Sequence, residues 1–108
     1  MDTLTRIKAL VLHGRVRFTL KAREEMRADA LRIPDVVEAI LNAKSIDKVL
    51  RSRSPSRGRT GEKLYVIKSS NYRGTAIYTK GKVDQFEGQA FFYVFLSAKL
   101  STLGDGSR

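Results

Sequence analysis

Tyrosine and basic side chains at alternating positions are the groups of this chain best suited to chemistry. The alternating sets are Ala76, Tyr78 and Lys80, then Phe91, Tyr93, Phe95, Ser97 and Lys99, and farther up the chain Val49, Arg51 and Arg53. Because the side chains of a β-strand alternate between its two faces, each set is expected to share one face. If strand pairing brings these faces together, one sheet surface offers Arg and Lys for phosphate oxygens and Tyr for stacking or proton transfer.

The same pattern also has a purely structural explanation. Tyr78 and Tyr93 would then be core aromatics whose hydroxyl groups reach water, and the lysines would be the charges that commonly protect edge strands. Periodicity alone slightly favours this structural explanation. The choice between the two therefore depends on what else in the sequence points to a ligand.

Most other catalytic arrangements lack their residues. His13 is the only histidine and is expected to be an incidental helix-end residue, which excludes a two-histidine ribonuclease mechanism and a Ser-His-Asp triad. The chain has no cysteine, so that disulfides, thiolate nucleophiles and the common structural zinc sites are absent. The acidic residues are scattered, and the glycines near Lys63 lack the Walker spacing. We therefore expect neither a metal nor a cofactor.

Positive charge is concentrated in the middle of the chain. Residues 44–82 carry eleven basic side chains against Asp47 and Glu62, which gives about +9 of the net charge of +10. Such a local excess repels itself on folding and is explained most simply by a polyanionic partner, above all a nucleic acid. A solubilising surface is the alternative, although such surfaces usually mix both signs.

Length and hydropathy limit the architecture. A chain of 108 residues with 42% apolar composition is expected to form one domain with one modest core. No apolar run approaches the roughly 20 residues that cross a bilayer, and Asp2, Arg6 and Lys8 interrupt the segment where a signal peptide would be apolar. We expect a soluble, cytoplasmic protein with no membrane partner.

Helical periodicity dominates the first part of the chain. The predicted helices span residues 3–13, 19–31 and 34–44. Gly14 can end the first helix, Thr19 can cap the second, and Pro34 can open the third. Residues 15–18 are expected to form a short basic link between the first two helices.

Beyond residue 45 the period changes from helical to alternating, which is typical of strands. Four strands are predicted, at residues 46–53, 62–69, 74–82 and 89–99. Residues 71–74 and 84–88 suit hairpin turns, the arginine-rich link at 54–61 is expected to be mobile, and the tail at 100–108 is expected to fray. Helices followed by strands indicate an α+β fold, in which the helices cover one face of a four-stranded antiparallel sheet.

Four short motifs follow one another in order along residues 3–99. They are Leu4-Thr5-Arg6-Ile7-Lys8-Ala9-Leu10-Val11, Gly14-Arg15-Val16-Arg17-Phe18-Thr19, Ile77-Tyr78-Thr79-Lys80 and Phe95-Leu96-Ser97-Ala98-Lys99. In their order and spacing they resemble the MqsR family of toxins from bacterial toxin and antitoxin pairs, which are relatives of the RelE fold. The resemblance implies an endoribonuclease that cuts messenger RNA and is held inactive by a cognate antitoxin protein.

The resemblance also implies site residues. The family's first-strand lysine corresponds to Arg51, which can bind phosphate but is a poor proton carrier. The family's tyrosine corresponds to Tyr78. Its terminal lysine corresponds to Lys99, or to Lys80 after a shift of one hairpin. The family's glutamine has Lys63 or its neighbour Glu62 in its place.

The leading hypothesis is a metal-independent endoribonuclease in which the ribose 2′-hydroxyl attacks its own phosphate. Tyr78 or one of the two lysines, Lys80 and Lys99, would act as base or acid, and Arg51 would stabilise the charge on phosphorus. The predicted RNA-binding residues are Arg53, Arg57, Arg59, Lys63 and Lys82. Two alternatives stay open: a nucleic-acid-binding module without catalysis, and a protein-interaction domain whose basic face receives an acidic antitoxin.

Overall fold

The computed structural model describes residues 1–52, 61–86, 88 and 90–102. In these residues the chain forms three helices, α1 (Thr3–Leu12), α2 (Leu20–Ala28) and α3 (Ile33–Asn42). It also forms five strands, β1 (Val16–Phe18), β2 (Lys48–Arg51), β3 (Lys63–Ser70), β4 (Ala76–Phe86) and β5 (Ala90–Leu100). All of the predicted mobile link except Gly61, and the predicted tail beyond residue 102, lie outside the described residues.

Side-chain oxygens cap the start of each helix. The carboxylate of Asp2 accepts a hydrogen bond from the N–H of Thr5 at 2.7 Å, and the hydroxyl of Thr19 accepts one from Ala22 at 3.1 Å. At α3, the carboxylate of Asp35 accepts from the N–H of Arg32 at 2.9 Å. The three predicted helices are confirmed, although they end one, three and two residues earlier than expected. None of the described helices is long and apolar enough to span a membrane.

The strands form one mixed sheet in the order β1-β5-β4-β3-β2. Strand β1 runs parallel to β5, with Val16 beside Tyr93, and the other pairs are antiparallel. The α+β class is confirmed, but the prediction of four antiparallel strands and of a simple link at residues 15–18 is wrong. A three-residue strand carries almost no alternation signal, and its pairing with a strand far along the chain is a tertiary contact.

Helices α1, α2 and α3 pack on one face of the sheet and bury the core there. The core side chains from the helices are Ile7, Val11, Ala22, Met26, Val36 and Ile40, and those from the strands include Ile67, Tyr93, Phe95 and Ala98. We call this side the helix face. The opposite side, which we call the lysine face, carries Lys68, Tyr78, Lys80, Lys82 and Lys99, as the register and the strand pleat require.

A β-bulge divides β5 between the two faces. Lys80 of β4 pairs with Ser97, but the next residue, Gly81, pairs with Phe95, so that Leu96 is the extra residue. Phe95 therefore lies on the helix face while Ser97 lies on the lysine face. The prediction that alternate residues from 91 to 99 share one face is wrong, because the bulge reverses the alternation. The pattern of residue types gives no sign of this bulge.

Gly81 makes room for a core tyrosine at the bulge. A Cβ atom at Gly81 would lie 2.6 Å from the ring of Tyr93, whose side chain is fully buried. Tyr93 is thus a core aromatic, as the structural explanation predicted. Its hydroxyl has no hydrogen-bond partner among the described residues, so it does not reach the water expected of it, and burial raises the pKa of Tyr93.

Helix α2 holds the edge of β5 that extends beyond β1. The carboxylate of Glu25 accepts hydrogen bonds from the hydroxyl of Ser97 at 2.6 Å and from the N–H of Ala98 at 3.1 Å. The carboxylate of Asp29 accepts one from the N–H of Leu100 at 2.8 Å. These bonds satisfy edge amides that would otherwise be unpaired and fix the backbone on both sides of Lys99.

Candidate nucleic-acid interface

Tyr78 lies between two lysines on the lysine face. It pairs with Lys68 of β3 on one side and with Lys99 of β5 on the other. Residues directly opposite each other on paired strands have Cβ atoms about 5 Å apart, so that the three side chains are neighbours. The Lys99 ammonium lies 5.3 Å from the centroid of the Tyr78 ring, within the range of a cation–π interaction.

Lys80 extends this group along β4. It lies two residues from Tyr78 on the same face, and its cross-strand neighbours are the buried, uncharged Val66 and Ser97. Lys68 is paired instead with Asp47, whose carboxylate is 3.7 Å from its ammonium. Among the described residues, neither Lys80 nor Lys99 forms an ion pair with a carboxylate. Strand pairing thus brings Tyr78, Lys80 and Lys99 to one surface, but it leaves Tyr93 and Phe95, which were expected on the same face as Lys99, on the helix face.

Lys82 lies deeper on the same face, in an ion-paired cluster. Its side chain is 9% exposed, and its ammonium lies 3.3 Å from a carboxylate oxygen of Glu62 and 3.5 Å from one of Asp84. A buried ammonium of this kind is held by its carboxylates, and a phosphate would have to compete with both. This geometry does not favour the predicted role of Lys82 as a phosphate ligand.

A cavity of about 290 Å³ adjoins this cluster. Its apolar walls are Leu64, Phe86, Val94 and Leu96, and its polar lining comprises Thr19, Ser52, Glu62, Lys82 and Asp84. Sequence patterns did not reveal this site. The third strand was predicted to end at residue 82, with Asp84 in a turn, whereas the observed β4 continues to Phe86 and places Lys82 and Asp84 on one face. Glu62 joins them only through the folding of the sheet.

An arginine stacked on phenylalanines stands at the β1 side of the cavity. The Arg17 guanidinium lies 4.5 Å from the ring centroid of Phe86 and 4.9 Å from that of Phe92. Arg17 pairs with Val94 and therefore belongs to the lysine face. The aromatic partners come from the β4 and β5 hairpin, so that no local sequence pattern could have revealed the contact.

Arg51 is not part of this group. It pairs with Lys63, so that both side chains point to the same face of the sheet. Tyr65, two residues after Lys63 in β3, also points to that face and packs against the core on the helix side. The Arg51 guanidinium donates a hydrogen bond to the carbonyl of Gly61 at 2.9 Å. The expectation that Arg51 would share a face with Tyr78 is wrong, because the face of a strand is set by its pairing register.

Lys63 and His13 stand apart from the lysine face. Lys63 is exposed and has the same orientation as Arg51, and its contact with RNA stays a prediction. The predicted RNA ligands Arg53, Arg57 and Arg59 lie outside the described residues. His13 is exposed at the end of α1, with its Nδ1 2.7 Å from the carbonyl of Ala9, as expected of a helix-end residue. In the described part of the chain, no three acidic or histidine side chains are grouped as metal ligands.

Comparison of the chain with models of known protein families, with curated proteins and with solved structures found no match. The support for a function therefore comes from the charge of the chain and from the side chains that the sheet brings together. Among the described residues, the group formed by Tyr78, Lys80 and Lys99 places a phenol beside two ammonium groups on one surface.

Proposed function

We propose that the protein is a metal-independent endoribonuclease toxin that binds messenger RNA on the lysine face and is neutralised by a cognate antitoxin. Its α+β fold would then be of the RelE and MqsR type, and it would act in the cytoplasm, where messenger RNA is translated. The observation that carries the proposal is the placement of Tyr78 beside Lys99, with Lys80 next to them on the same face. The resemblance to the MqsR family supplies the reaction.

Electrostatics supports RNA as the ligand. The chain has a net charge of +10, and Lys68, Lys80 and Lys99 surround a single phenol on a surface with strands on either side. Ammonium groups bind phosphate oxygens through charge-assisted hydrogen bonds, and a tyrosine ring can stack on a base. Phosphate binding and base stacking are thus both available within one row of neighbouring side chains across the strands.

The proposed reaction is an internal transesterification. The 2′-oxygen of the ribose loses its proton to a base and bonds to phosphorus, while the bond from phosphorus to the 5′-oxygen breaks and that oxygen takes a proton from an acid. Tyr78 and Lys99 form the proton-transfer pair, and Lys80 stabilises the negative charge on the phosphate. The products are a 2′,3′-cyclic phosphate and a 5′-hydroxyl end. Arg51 takes no part in this reaction because its side chain points to the side of the sheet opposite Tyr78.

An RNA cleavage assay in EDTA tests the proposal. The unmodified protein is expected to cut a structured RNA and to leave 2′,3′-cyclic phosphate ends. Tyr78→Phe is expected to lower the rate by about 100-fold or more, since positioned proton transfer contributes roughly 10²–10⁴-fold. Tyr72→Phe removes the same hydroxyl from an exposed turn residue and is the matched control. Intact RNA at every protein concentration would refute the proposal.

Nucleic-acid binding without cleavage is the second candidate. The position of Arg51 favours it, because the phosphate-stabilising arginine implied by the resemblance is turned away from Tyr78. In that case the assay would show binding that weakens steeply with salt and no cleavage products.

A further inference from the structure

Two arginines at the β1 edge of the lysine face lie against a pair of phenylalanine rings. The Arg17 guanidinium is 4.5 Å from the ring centroid of Phe86 and 4.9 Å from that of Phe92. The Arg15 guanidinium is 6.0 Å from the ring centroid of Phe92. These distances are within the range of a cation–π interaction, and the two rings themselves meet edge to face with their centroids 5.3 Å apart. The phenylalanine pair therefore restricts the positions of both guanidinium groups.

Both guanidinium groups keep their hydrogen-bond donors available for a ligand. Arg15 and Arg17 are exposed. In the described part of the chain, the arginines whose side chains bond to carbonyl or carboxylate oxygens are Arg51 and Arg73. A guanidinium has five N–H donors in a planar fork that matches the oxygens of a phosphate. Arg15 and Arg17 thus combine restricted positions with unused donors and uncompensated positive charge.

The sheet aligns these arginines with the lysines of the proposed RNA surface. Arg17 pairs with Val94 of β5, and Val94 pairs with Lys82 of β4, so that Arg17 lies two strands from Lys82 on the same face. Neighbouring strands are about 4.8 Å apart, and Lys80 is one two-residue step of about 7 Å farther along β4. The Cα atoms of Arg17 and Lys80 are therefore separated by roughly 12 Å. A few nucleotides of one RNA strand can contact both.

From this geometry we infer that Arg15 and Arg17 form a second RNA contact, which holds the phosphodiester backbone of nucleotides next to the cleaved bond. The inference rests on the proposed function. The carbonyl of Arg15 accepts a hydrogen bond from the N–H of Tyr93 at 2.9 Å, which continues the pairing of β1 with β5 and gives Arg15 the orientation of Arg17. The two arginines are about 7 Å apart along the chain and bind different phosphates. Their N–H groups donate to phosphate oxygens, while Phe86 and Phe92 keep the guanidinium groups in position.

The salt dependence of RNA binding tests this inference. The probe is a fluorescently labelled oligouridylate with 2′-O-methyl groups, which block the attacking oxygen and prevent cleavage. Each phosphate contact to a single strand adds about 0.7 to the slope of log affinity against log salt concentration, so Arg17→Gln is expected to lower the slope by about 0.7. Arg23→Gln removes the same charge from an exposed residue of α2 and is expected to leave the slope unchanged. An oligoadenylate should show the same decrease, because phosphate contacts carry no base information.

Arg17→Lys separates the phosphate contact from the packing of the phenylalanine rings. It removes the guanidinium, as Arg17→Gln does, but keeps a positive charge that binds phosphate, and it is expected to retain most of the slope. Urea unfolding of both variants checks that they are folded. Equal slopes for Arg17→Gln and Arg17→Lys would mean that the arginine only covers the rings, which would overturn the second contact and leave RNA binding in place. Failure of the unmodified protein to bind the oligonucleotides would overturn the proposed function and the second contact together.

Discussion

The Lys99 ammonium lies 5.3 Å from the centre of the Tyr78 ring because the bulge at Leu96 turns the end of β5 over. Without the extra residue, Lys99 would have the orientation of Phe95 and would point toward the helices. The bulge itself coincides with Gly81, whose bare Cα accepts the ring of Tyr93. The packing of Tyr93 on the helix face and the placement of Lys99 on the lysine face thus meet at the same point of the β4 and β5 pairing.

Gly81→Ala is expected to destabilise the protein. The new methyl group would lie 2.6 Å from the Tyr93 ring, and overpacking of a buried site typically costs about 1–3 kcal/mol. The free energy of unfolding from urea titration measures the effect. In a Tyr93→Leu background the same substitution should cost clearly less, because the ring is gone. Equal costs in the two backgrounds would show that the ring is not the source of the strain.

Tyr93→Phe is expected to leave the free energy of unfolding unchanged or to raise it by about 1 kcal/mol. The Tyr93 hydroxyl is buried without a hydrogen-bond partner among the described residues, so that its removal abolishes a desolvation cost and leaves the ring packing in place. Thermal and urea unfolding measure the change. A loss of more than 1 kcal/mol would mean that the hydroxyl has a stabilising partner.

Local signals made the helices predictable. Thr19 and Asp35 cap their helices through oxygens three residues from the amides they bind, so the pattern is contained in a short stretch of sequence. Strand β1 could not be predicted in this way, because Val16 is in a strand only by virtue of its pairing with Tyr93. The bulge at Leu96 could not be predicted from local sequence either, because it depends on how β5 pairs with β4.

The candidate site was predictable in part for the same reason. Tyr78 and Lys80 share a face because they alternate in one strand, and this required no knowledge of the partner strands. The orientation of Arg51 depends on its register with Lys63, and the ion pair of Lys82 with Glu62 joins β4 to the residue that precedes β3. Side chains that meet only through tertiary pairing were therefore misplaced or missed.

Acid is expected to weaken the hold of α2 on β5. Burial acts to raise the pKa of Glu25, but hydrogen bonds from Ser97, from Lys21 and from the N–H of Ala98 outweigh it and hold the pKa below its ordinary value of 4.5. A carboxyl group whose pKa is lower in the folded protein stabilises the fold above its unfolded pKa, and this stabilisation is lost as the pH falls through the folded pKa.

Unfolding titrations of the unmodified protein and Glu25→Gln between pH 7 and pH 3 measure this contribution. The unmodified protein should be the more stable of the two at pH 7, and the difference should shrink below about pH 4.5. Glu24→Gln, an exposed neighbour on α2, is the control and should show no such trend. A difference that is constant over the whole range would contradict the assigned role of Glu25.

The single-turnover rate of RNA cleavage in EDTA by Lys99→Gln, compared with that by Lys44→Gln, separates proton transfer beside Tyr78 from a general effect of charge. Both variants lose one positive charge, but Lys44 is an exposed residue that follows α3, whereas Lys99 lies beside Tyr78. Lys99→Gln is expected to lower the rate by about 100-fold or more, the range of positioned proton transfer, while Lys44→Gln is expected to change it little. Equal rates for the two variants, or no cleavage by the unmodified protein, would contradict a proton-transfer role of Lys99.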